Sequence, residues 1–298
     1  MEDLLINDTS QDTTFNDYDP AKYFVLSPFG MYYYSGEDRF ILKVVTCVTI
    51  CIGLPLTLMA IYALYSQVRN DHVAPIYVIN LLISDLLQFC YMIVEVAQPK
   101  EWEIIRIFSL IYLFCLLASV CFMVCIALER YLVIVFPLWY RFRQTIKISV
   151  LVCVMVWTLP LVYVLPILFW DEIKVKSIIF SVFCLLPLPL LIFFLGGTLK
   201  ALSASISVPS DEKRRIVGIL VLVLLIYVLL FLPTVIWFLT DELQYSDTLY
   251  YKFSLFLKMN PLADLILYVF MKKGAIDKVL TSVCCCRMDS NDISSAAE

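Results

Sequence analysis

Four charged side chains stand inside long apolar stretches of this sequence: Asp85, Glu95, Lys258 and Asp264. A charged group inside a membrane is costly unless it faces a wet cavity, a cation or an opposite charge. The two aspartates could supply oxygen ligands to a hard monovalent ion, or they could share a proton or a water network. Both chemistries require a fold that brings the two carboxyl groups together.

Glu95 and Lys258 form a second candidate pair. Glu95 lies ten residues after Asp85, and Lys258 lies six residues before Asp264. At a rise of about 1.5 Å per residue, both side chains lie about 9–15 Å from the aspartates and toward the same face of the membrane. The two groups could neutralise each other internally, or they could form a charged floor for a ligand.

The composition places all four residues in a membrane protein. The chain has 298 residues, of which 62% are apolar and 16% are charged, and its mean hydropathy is +0.88. Soluble domains hold about 45–50% apolar and about 25% charged residues. A chain of this length cannot bury the excess in a water-soluble core, so it must contact the lipid bilayer. Soluble-enzyme, disordered and nucleic-acid-binding classes are disfavoured, and no nucleic acid is expected as a partner.

Seven apolar runs are long enough to form membrane-spanning helices, which need about 20 residues each. The sequence therefore predicts an all-α membrane protein, a seven-transmembrane helix bundle with a short cytoplasmic amphipathic helix over residues 272–283. We expect an extracellular N-terminal segment at 1–39, the helix bundle at 40–271, and the amphipathic helix with a short tail at 272–298. The runs cover residues 40–66, 75–97, 104–135, 146–169, 177–204, 213–240 and 247–271.

The distribution of Lys and Arg sets the expected orientation. With the N-terminus outside, the cytoplasmic segments hold 13 Lys or Arg against 8 Asp or Glu, and the outer segments hold 8 against 15. The positive-inside rule therefore favours an extracellular N-terminus and a cytoplasmic C-terminus in the plasma membrane. The glycosylation sequon at Asn7 falls on the outer side, which agrees.

A series of short motifs runs through the chain in a fixed order. They are Asn80-Leu81 with Ser84-Asp85-Leu86, Glu129-Arg130-Tyr131 with Pro137-Leu138, Trp157, Phe231-Leu232-Pro233, and Asp264-Leu265-Ile266-Leu267-Tyr268. As a set they resemble the motifs of the rhodopsin-like (class A) G-protein-coupled receptors. The set covers nearly the whole chain, which makes it far more specific than any one motif.

The resemblance implies a G-protein coupling switch made of Glu129, Arg130, Tyr131 and Tyr268. Glu129 would hold Arg130 at rest, and Arg130 would meet a heterotrimeric G protein when the sixth helix swings outward. On its own, an arginine at this position could instead be an interfacial side chain that snorkels to water. A second lock on the sixth helix is not expected, since that end reads Lys213-Arg214-Arg215 rather than acidic.

The resemblance also implies a sodium site in the middle of the bundle. When Asp264 is aligned with the first residue of the family's D/NPxxY motif, the ion-ligand positions are occupied by Asp85, Ser119, Asn260 and Asp264. In this register Leu265 replaces the motif's proline, so the usual kink depends on Pro261, one turn earlier. No cofactor is expected beyond such an allosteric sodium ion.

Several positions depart from the family's pattern. Ile105 replaces the usual cysteine of the third helix, and the second outer loop (170–176) has no cysteine, so the usual disulfide cannot form. Gly197 replaces a tyrosine in the fifth helix, and Thr57 replaces a common asparagine in the first. The departures look most like the Mas-related branch. The aspartate of the seventh helix is also frequent among purinergic, protease-activated and proton-sensing receptors.

Side chains near the outer ends of the helices are candidates for a ligand pocket. Aromatic residues there are also typical of the membrane interface, so both interpretations stay open. Opsins carry their retinal-binding lysine at the place of Lys258, but this chain lacks the opsin disulfide and the tryptophan two residues before Pro233, which argues against retinal. The pocket candidates are Glu95, Tyr112, Phe231, Trp237, Phe238, Tyr250, Ser254 and Lys258.

We therefore expect a receptor that transduces an extracellular ligand, and not an enzyme, because no nucleophile–base pair, phosphate-binding loop or metal-ligand spacing is present. The acidic outer segments favour a basic peptide or a cationic amphiphile as the ligand. The alternatives are a proton-sensing or lipid-activated receptor and, from another class, an ion or proton transporter or channel. Candidate palmitoylation sites that would anchor the tail are Cys284, Cys285 and Cys286.

Overall fold

The computed structural model describes most of the chain between its two ends. The described residues are 23–27, 30–34, 36–69, 76–97, 101–138, 140, 146–169, 173–204, 210–239 and 247–272. Nearly all of them are helical, as the hydropathy of the sequence predicts.

The first four membrane spans are single helices, and the other three are divided into helix pairs. The single helices are α1 (Gly36–Arg69), α2 (Ile76–Ala97), α3 (Trp102–Val135) and α4 (Ile146–Phe169). The pairs are α5 (Ile173–Leu185) with α6 (Pro187–Ala204), α7 (Ser210–Leu230) with α8 (Leu232–Leu239), and α9 (Asp247–Lys258) with α10 (Asn260–Met271).

Six helical stretches in the described part of the chain are long and apolar enough to cross a membrane, from Phe40–Ser66 to Lys213–Ile236. The seventh predicted span is present as α9 and α10, of which α10 is a shorter apolar helix. The prediction of an all-α membrane protein built as a seven-helix bundle is therefore confirmed.

A two-stranded antiparallel hairpin precedes α1 and is absent from the sequence prediction. β1 (Tyr23–Ser27) pairs with β2 (Gly30–Tyr34), so that Tyr23 lies opposite Tyr34. β1 lies beside α3, and β2 lies beside α1 and α9. A single hairpin is marginally stable by itself. Its contacts with these helices can add the stability that a single hairpin lacks.

Prolines account for the breaks within the three divided spans. Proline has no N–H donor, and its ring clashes with the carbonyl group four residues earlier, so it bends or interrupts a helix. Pro55 in α1 and Pro160 and Pro166 in α4 lie within helices that stay continuous. Pro187 begins α6, and Pro233 lies in the first turn of α8. Pro261 lies in the first turn of α10, and just before it the Met259 N–H bonds to the Phe256 carbonyl at 3.1 Å in a tight turn. The break expected from Pro261 is thus present.

Helix α3 lies at the centre of the bundle and packs against α2, α4, α6 and α7. Beside it, Trp157 of α4 donates a hydrogen bond from Nε1 to Asn80 Oδ1 of α2 at 3.0 Å. The Trp157 ring also packs on Phe114 and Phe122 of α3, with ring centroids 5.8 and 5.6 Å apart. Two of the family-like motif residues therefore join α2, α3 and α4, and they fix the position of the central helix.

Helix α1 approaches α2 and α10 closely at Gly53. A Cβ atom at this position would lie 2.5 Å from Phe89 Cζ and 3.2 Å from Leu262 Cδ2. Because Phe89 is fully buried, its ring has little room to move away from a larger residue. The absence of a side chain at Gly53 therefore sets the spacing that holds α10 against α1 and α2.

Helix α6 meets the end of α3 at Gly197, where the family resemblance suggests a tyrosine. The ring of Tyr131 covers this glycine, and a Cβ atom there would lie 2.6 Å from Tyr131 Cε2. Phe193 and Phe194 complete the contact, with ring centroids 5.7 and 5.4 Å from that of Tyr131. Tyr131 thus occupies the volume that a side chain at position 197 would need.

We expect Gly197→Ala to lower the melting temperature, because the added methyl group collides with the Tyr131 ring and overpacking of this kind costs about 1–3 kcal/mol. Gly196→Ala is the matched control, since a Cβ atom there meets no described neighbour within 4 Å. Thermal unfolding of the detergent-solubilised protein compares the two variants. Equal melting temperatures would contradict the proposed packing.

Candidate functional site

Three helices bring four of the predicted polar residues into one buried centre. Asp85 lies on α2, Ser119 on α3, and Asn260 and Asp264 on α10. All four are fully buried, at 0% exposure. Because the break before α10 starts a new helix at this depth, Asn260 and Asp264 are four residues apart on one helix face.

Hydrogen bonds converge on one oxygen of Asp264. Ser119 Oγ donates to Asp264 Oδ2 at 2.8 Å, and Asn260 Nδ2 donates to the same oxygen at 3.1 Å. Asn260 Nδ2 also donates to Ser119 Oγ at 3.1 Å. Asp85 lies on α2, which packs against α10, the helix that carries Asp264. The structure therefore brings together all four residues of the predicted sodium site.

Gln88 belongs to the same centre and is missing from the sequence prediction. It is fully buried, and its Nε2 donates to Asp85 Oδ1 at 3.2 Å. A signal was available, because residues three apart on a helix share a face and an amide is unusual in an apolar span. We refer to Asp85, Gln88, Ser119, Asn260 and Asp264 together as the polar centre.

Four side-chain oxygens of the polar centre have no hydrogen-bond partner among the described residues. They are Asp85 Oδ2, Gln88 Oε1, Asn260 Oδ1 and Asp264 Oδ1. Each is an acceptor, and acceptors cannot satisfy one another without a cation, a proton or water between them. Oxygen atoms of carboxylates and amides are the ligands that hard cations prefer. The donor set therefore fits a small hard cation.

Glu95 and Lys258 form an ion pair with little exposure to solvent. Glu95 lies ten residues after Asp85 on α2. Lys258 Nζ donates to Glu95 Oε2, and the Lys258 and Glu95 side chains are 5% and 17% exposed. Tyr91 Oη donates to the other carboxylate oxygen of Glu95 at 3.5 Å. Lys258 Nζ also lies 5.4 Å from the centroid of the Tyr91 ring. Both charges thus have partners within the protein.

Two more of the pocket candidates lie near this pair or along its helix. The Tyr112 ring packs on Tyr91 with centroids 4.7 Å apart, and its buried hydroxyl has no hydrogen-bond partner among the described residues. Ser254 lies one turn before Lys258 on α9 and is partly buried. Tyr112 therefore links α3 to Tyr91, which contacts the ion pair. Ser254 lies on the same helix as Lys258.

The remaining pocket candidates are not gathered around the ion pair by any described contact. Phe231 is fully buried at the junction of α7 and α8 and stacks on Tyr227 at 5.4 Å, which makes it a core residue. Trp237 and Phe238 lie on α8 and Tyr250 on α9, and their side chains lie outside the described part of the structure.

The expected ion pair between Glu129 and Arg130 is absent from the described residues, so that part of the prediction is wrong. Glu129 Oε1 instead accepts a hydrogen bond from Tyr140 Oη at 3.1 Å. Tyr140 lies in a short helical stretch just beyond α3, where its N–H donates to the Phe136 carbonyl at 2.9 Å. Arg130 Nε is buried without a hydrogen-bond partner there. Tyr268 lies partly buried on α10.

The predicted features at the two chain ends lie outside the described residues. They are the glycosylation site Asn7, the palmitoylation sites Cys284, Cys285 and Cys286, and the amphipathic helix over 272–283 apart from Lys272. They stay predictions.

Comparison with known proteins finds similarity to one family of receptors. The profile described as 7 transmembrane receptor (rhodopsin family) matches residues 56–177. Proteinase-activated receptor 1 of Xenopus laevis is 25% identical over 296 residues, which cover 87% of this chain and 70% of that receptor. G-protein coupled receptor 68 of Mus musculus is 26% identical over 272 residues, with 77% and 73% covered. Free fatty acid receptor 3 of Homo sapiens is 31% identical over 140 residues, with 43% and 39% covered.

Over residues 56–177 the chain is similar to the rhodopsin family of seven-transmembrane receptors. It is a G-protein-coupled receptor in a membrane, and its partners are a G protein and an extracellular ligand. The transporter, channel and enzyme classes are not favoured by these matches, since all of the relatives named above are receptors.

The ion pair leads to a prediction about stability. Lys258→Met leaves the Glu95 carboxylate buried without its main partner, and breaking a buried pair in this way costs about 3–5 kcal/mol. We expect lower surface expression and a lower melting temperature in Lys258→Met and in Glu95→Lys. The double swap, Glu95→Lys with Lys258→Glu, should recover part of the loss.

The exposed pair between Arg106 Nη2 and Glu103 Oε2 at 3.1 Å provides the control. Exposed pairs contribute about 0–1 kcal/mol, so Arg106→Met should change the melting temperature little. A double swap that is no more stable than either single variant would show that Glu95 and Lys258 do not depend on each other.

Proposed function

We propose that this receptor lies in the plasma membrane with its N-terminus outside and its C-terminus in the cytoplasm, and that ligand binding activates a heterotrimeric G protein. The excess of Lys and Arg in the segments assigned to the cytoplasm supports this orientation. The observation that carries the mechanism is the polar centre, since its unpartnered oxygens lie where α2, α3 and α10 meet.

The polar centre is proposed to hold a sodium ion in the resting receptor. Asp85, Gln88, Asn260 and Asp264 would hold it through their unpartnered oxygens, with Ser119 beside them. Bound there, the ion would offset the charge of two carboxylates that the surrounding protein leaves partly unsatisfied. The ligand oxygens come from α2 and α10, so the ion would favour the packing that keeps these helices together.

Arg130 is proposed to contact the G protein. Glu129 is engaged by Tyr140, so the position of Arg130 depends on the packing of α3 and not on its acidic neighbour. Tyr131, the next residue, is fixed against Gly197 of α6. A movement of the helices around the end of α3 would therefore change the exposure of Arg130 directly.

The ligand is proposed to be a basic peptide or another cationic amphiphile. The outer segments hold 15 Asp or Glu against 8 Lys or Arg, and such a field concentrates cations and repels anions. Glu95 adds no net charge to this field, because Lys258 neutralises it. The attraction therefore resides in the outer segments and not in the buried pair.

The function is tested by GTP exchange in membranes that contain the receptor and purified G proteins. We expect basic peptides or cationic amphiphiles to stimulate exchange, and nucleotides and carboxylate lipids to be inactive. Arg130→Ala should abolish the response, because the cationic group that would meet the G protein is removed.

Surface expression and ligand binding of Arg130→Ala serve as controls and should stay close to those of the wild type. Undiminished GTP exchange in this variant would contradict the role of Arg130. Activation by anionic compounds alone would contradict the ligand class and leave the coupling intact.

The sodium site is tested by thermal unfolding without any ligand. A bound ion stabilises only the folded state, so the melting temperature should rise with sodium chloride beyond its value in N-methylglucamine chloride. Asp85→Asn should remove this sodium-specific rise, and Gln88→Leu should reduce it, since each loses a ligand oxygen.

Thr198→Val is the matched control for the loss of a buried polar group. Thr198 is fully buried on α6, outside the polar centre, and its hydroxyl has no partner among the described residues. The sodium-specific rise should persist in this variant. If sodium and N-methylglucamine act alike in the wild type, the polar centre holds no sodium ion.

A further inference from the structure

The start of α7 carries three consecutive cations that make different contacts. Lys213 Nζ donates to the Leu202 carbonyl of α6 at 3.1 Å. Arg215 Nη2 donates to the Met271 carbonyl of α10. Arg214, between them, is exposed. One end of the sixth span is therefore hydrogen-bonded to the spans on both of its sides.

Helix geometry explains why two neighbouring cations reach opposite helices. Residues two apart on an α-helix point about 200° away from each other around its axis. Lys213 and Arg215 therefore face opposite sides of α7, one toward α6 and the other toward α10, both of which pack against α7. Arg214 lies between these two directions.

The acceptors are well suited to cations. The last four carbonyl groups of a helix have no intrahelical donor, and they form the negative end of the helix dipole. Leu202 is in the last turn of α6, which ends at Ala204, and Met271 is the last residue of α10. Both hydrogen bonds thus satisfy carbonyl groups that their own helices leave open.

We propose that Lys213 and Arg215 form a clamp that holds the start of α7 between α6 and α10 in the resting receptor. Consecutive spans alternate in direction, so the ends of α3, α6 and α10 and the start of α7 share one side of the bundle. That side carries Arg130, at the end of α3. The clamp restrains the sixth span through main-chain carbonyl groups of α6 and α10.

The clamp must open when α7 moves away from α6 and α10, because neither carbonyl group can follow the side chain that binds it. This inference deepens the proposed function, since it gives the resting position of the sixth span a specific restraint. It predicts that loss of the clamp shifts the receptor toward its coupling state without a ligand.

Basal GTP exchange tests the clamp. Membranes with wild type, Lys213→Ala, Arg215→Ala and the double variant are assayed without ligand against members of the four main Gα classes. We expect basal exchange to rise about threefold or more in Arg215→Ala and further in the double variant. Arg215→Lys keeps a cation at the end of α10 and should be intermediate. Adding Arg130→Ala to Arg215→Ala should return exchange to the level of receptor-free membranes.

Arg214→Ala is the matched control, because it removes the same charge from the same turn without removing either hydrogen bond. Its basal exchange should equal that of the wild type. A rise in Arg214→Ala as large as that in Arg215→Ala would overturn the clamp, since net charge alone would then explain the effect.

Hydrogen–deuterium exchange of the purified receptor tests the same contacts without a G protein. Amides in the last turn of α10 and the first turn of α7 should exchange faster in Arg215→Ala than in Arg214→Ala. Equal amide exchange in these variants overturns the clamp. Where the wild type does activate a G protein, faster amide exchange without increased basal GTP exchange overturns it as well. If the wild type activates no G protein with any compound, the proposed coupling is wrong, and amide exchange alone then decides whether the clamp exists.

Discussion

The interior of a bilayer supplies no water from the lipid side, so every polar group that this receptor buries must be satisfied by protein, by an ion or by enclosed water. The demand is greatest at Asp85 and Asp264, which are both at 0% exposure. Ser119 and Asn260 satisfy part of this demand, because both donate hydrogen bonds to one oxygen of Asp264. The oxygens of the polar centre that stay without a partner among the described residues lie on α2 and α10. The spacing of these acceptors therefore depends on the distance between the two helices. If the polar centre holds an ion as proposed, ion binding and the packing of these two helices depend on each other.

The helix breaks make this arrangement possible. Pro261 ends the continuity of the seventh span, so α10 begins at the depth where its first residue, Asn260, and its first full turn face α2 and α3. The same break leaves Lys258 at the end of α9, directed to Glu95. A single proline thus separates two polar layers, a neutral ion pair and a group of unpartnered acceptors. The separation lets one layer be satisfied internally while the other stays able to bind an ion.

Much of the fold and of the polar centre could be predicted from the sequence, but some contacts of individual side chains could not. The spans follow from hydropathy, and the polar centre follows from carboxylates that a membrane tolerates only in a special environment. Gln88 could have been found from its spacing to Asp85. The bond between Tyr140 and Glu129 could not, because it depends on how the chain continues after α3. The partner of Arg215 was equally hidden, since a main-chain carbonyl group leaves no signature in the sequence.

Six of the eight cysteines in the described helices fall into two groups with different chemical access, and Cys121 and Cys125 are intermediate between them. All eight are free thiols; Cys47, Cys51 and Cys90 are exposed on the helix surface, and Cys115, Cys153 and Cys184 are buried. A membrane-permeable thiol reagent reaches the first group in the folded receptor and reaches the second only after the bundle opens. Labelling of the buried thiols therefore follows unfolding inside the native membrane, and the chain carries its own reporter of stability.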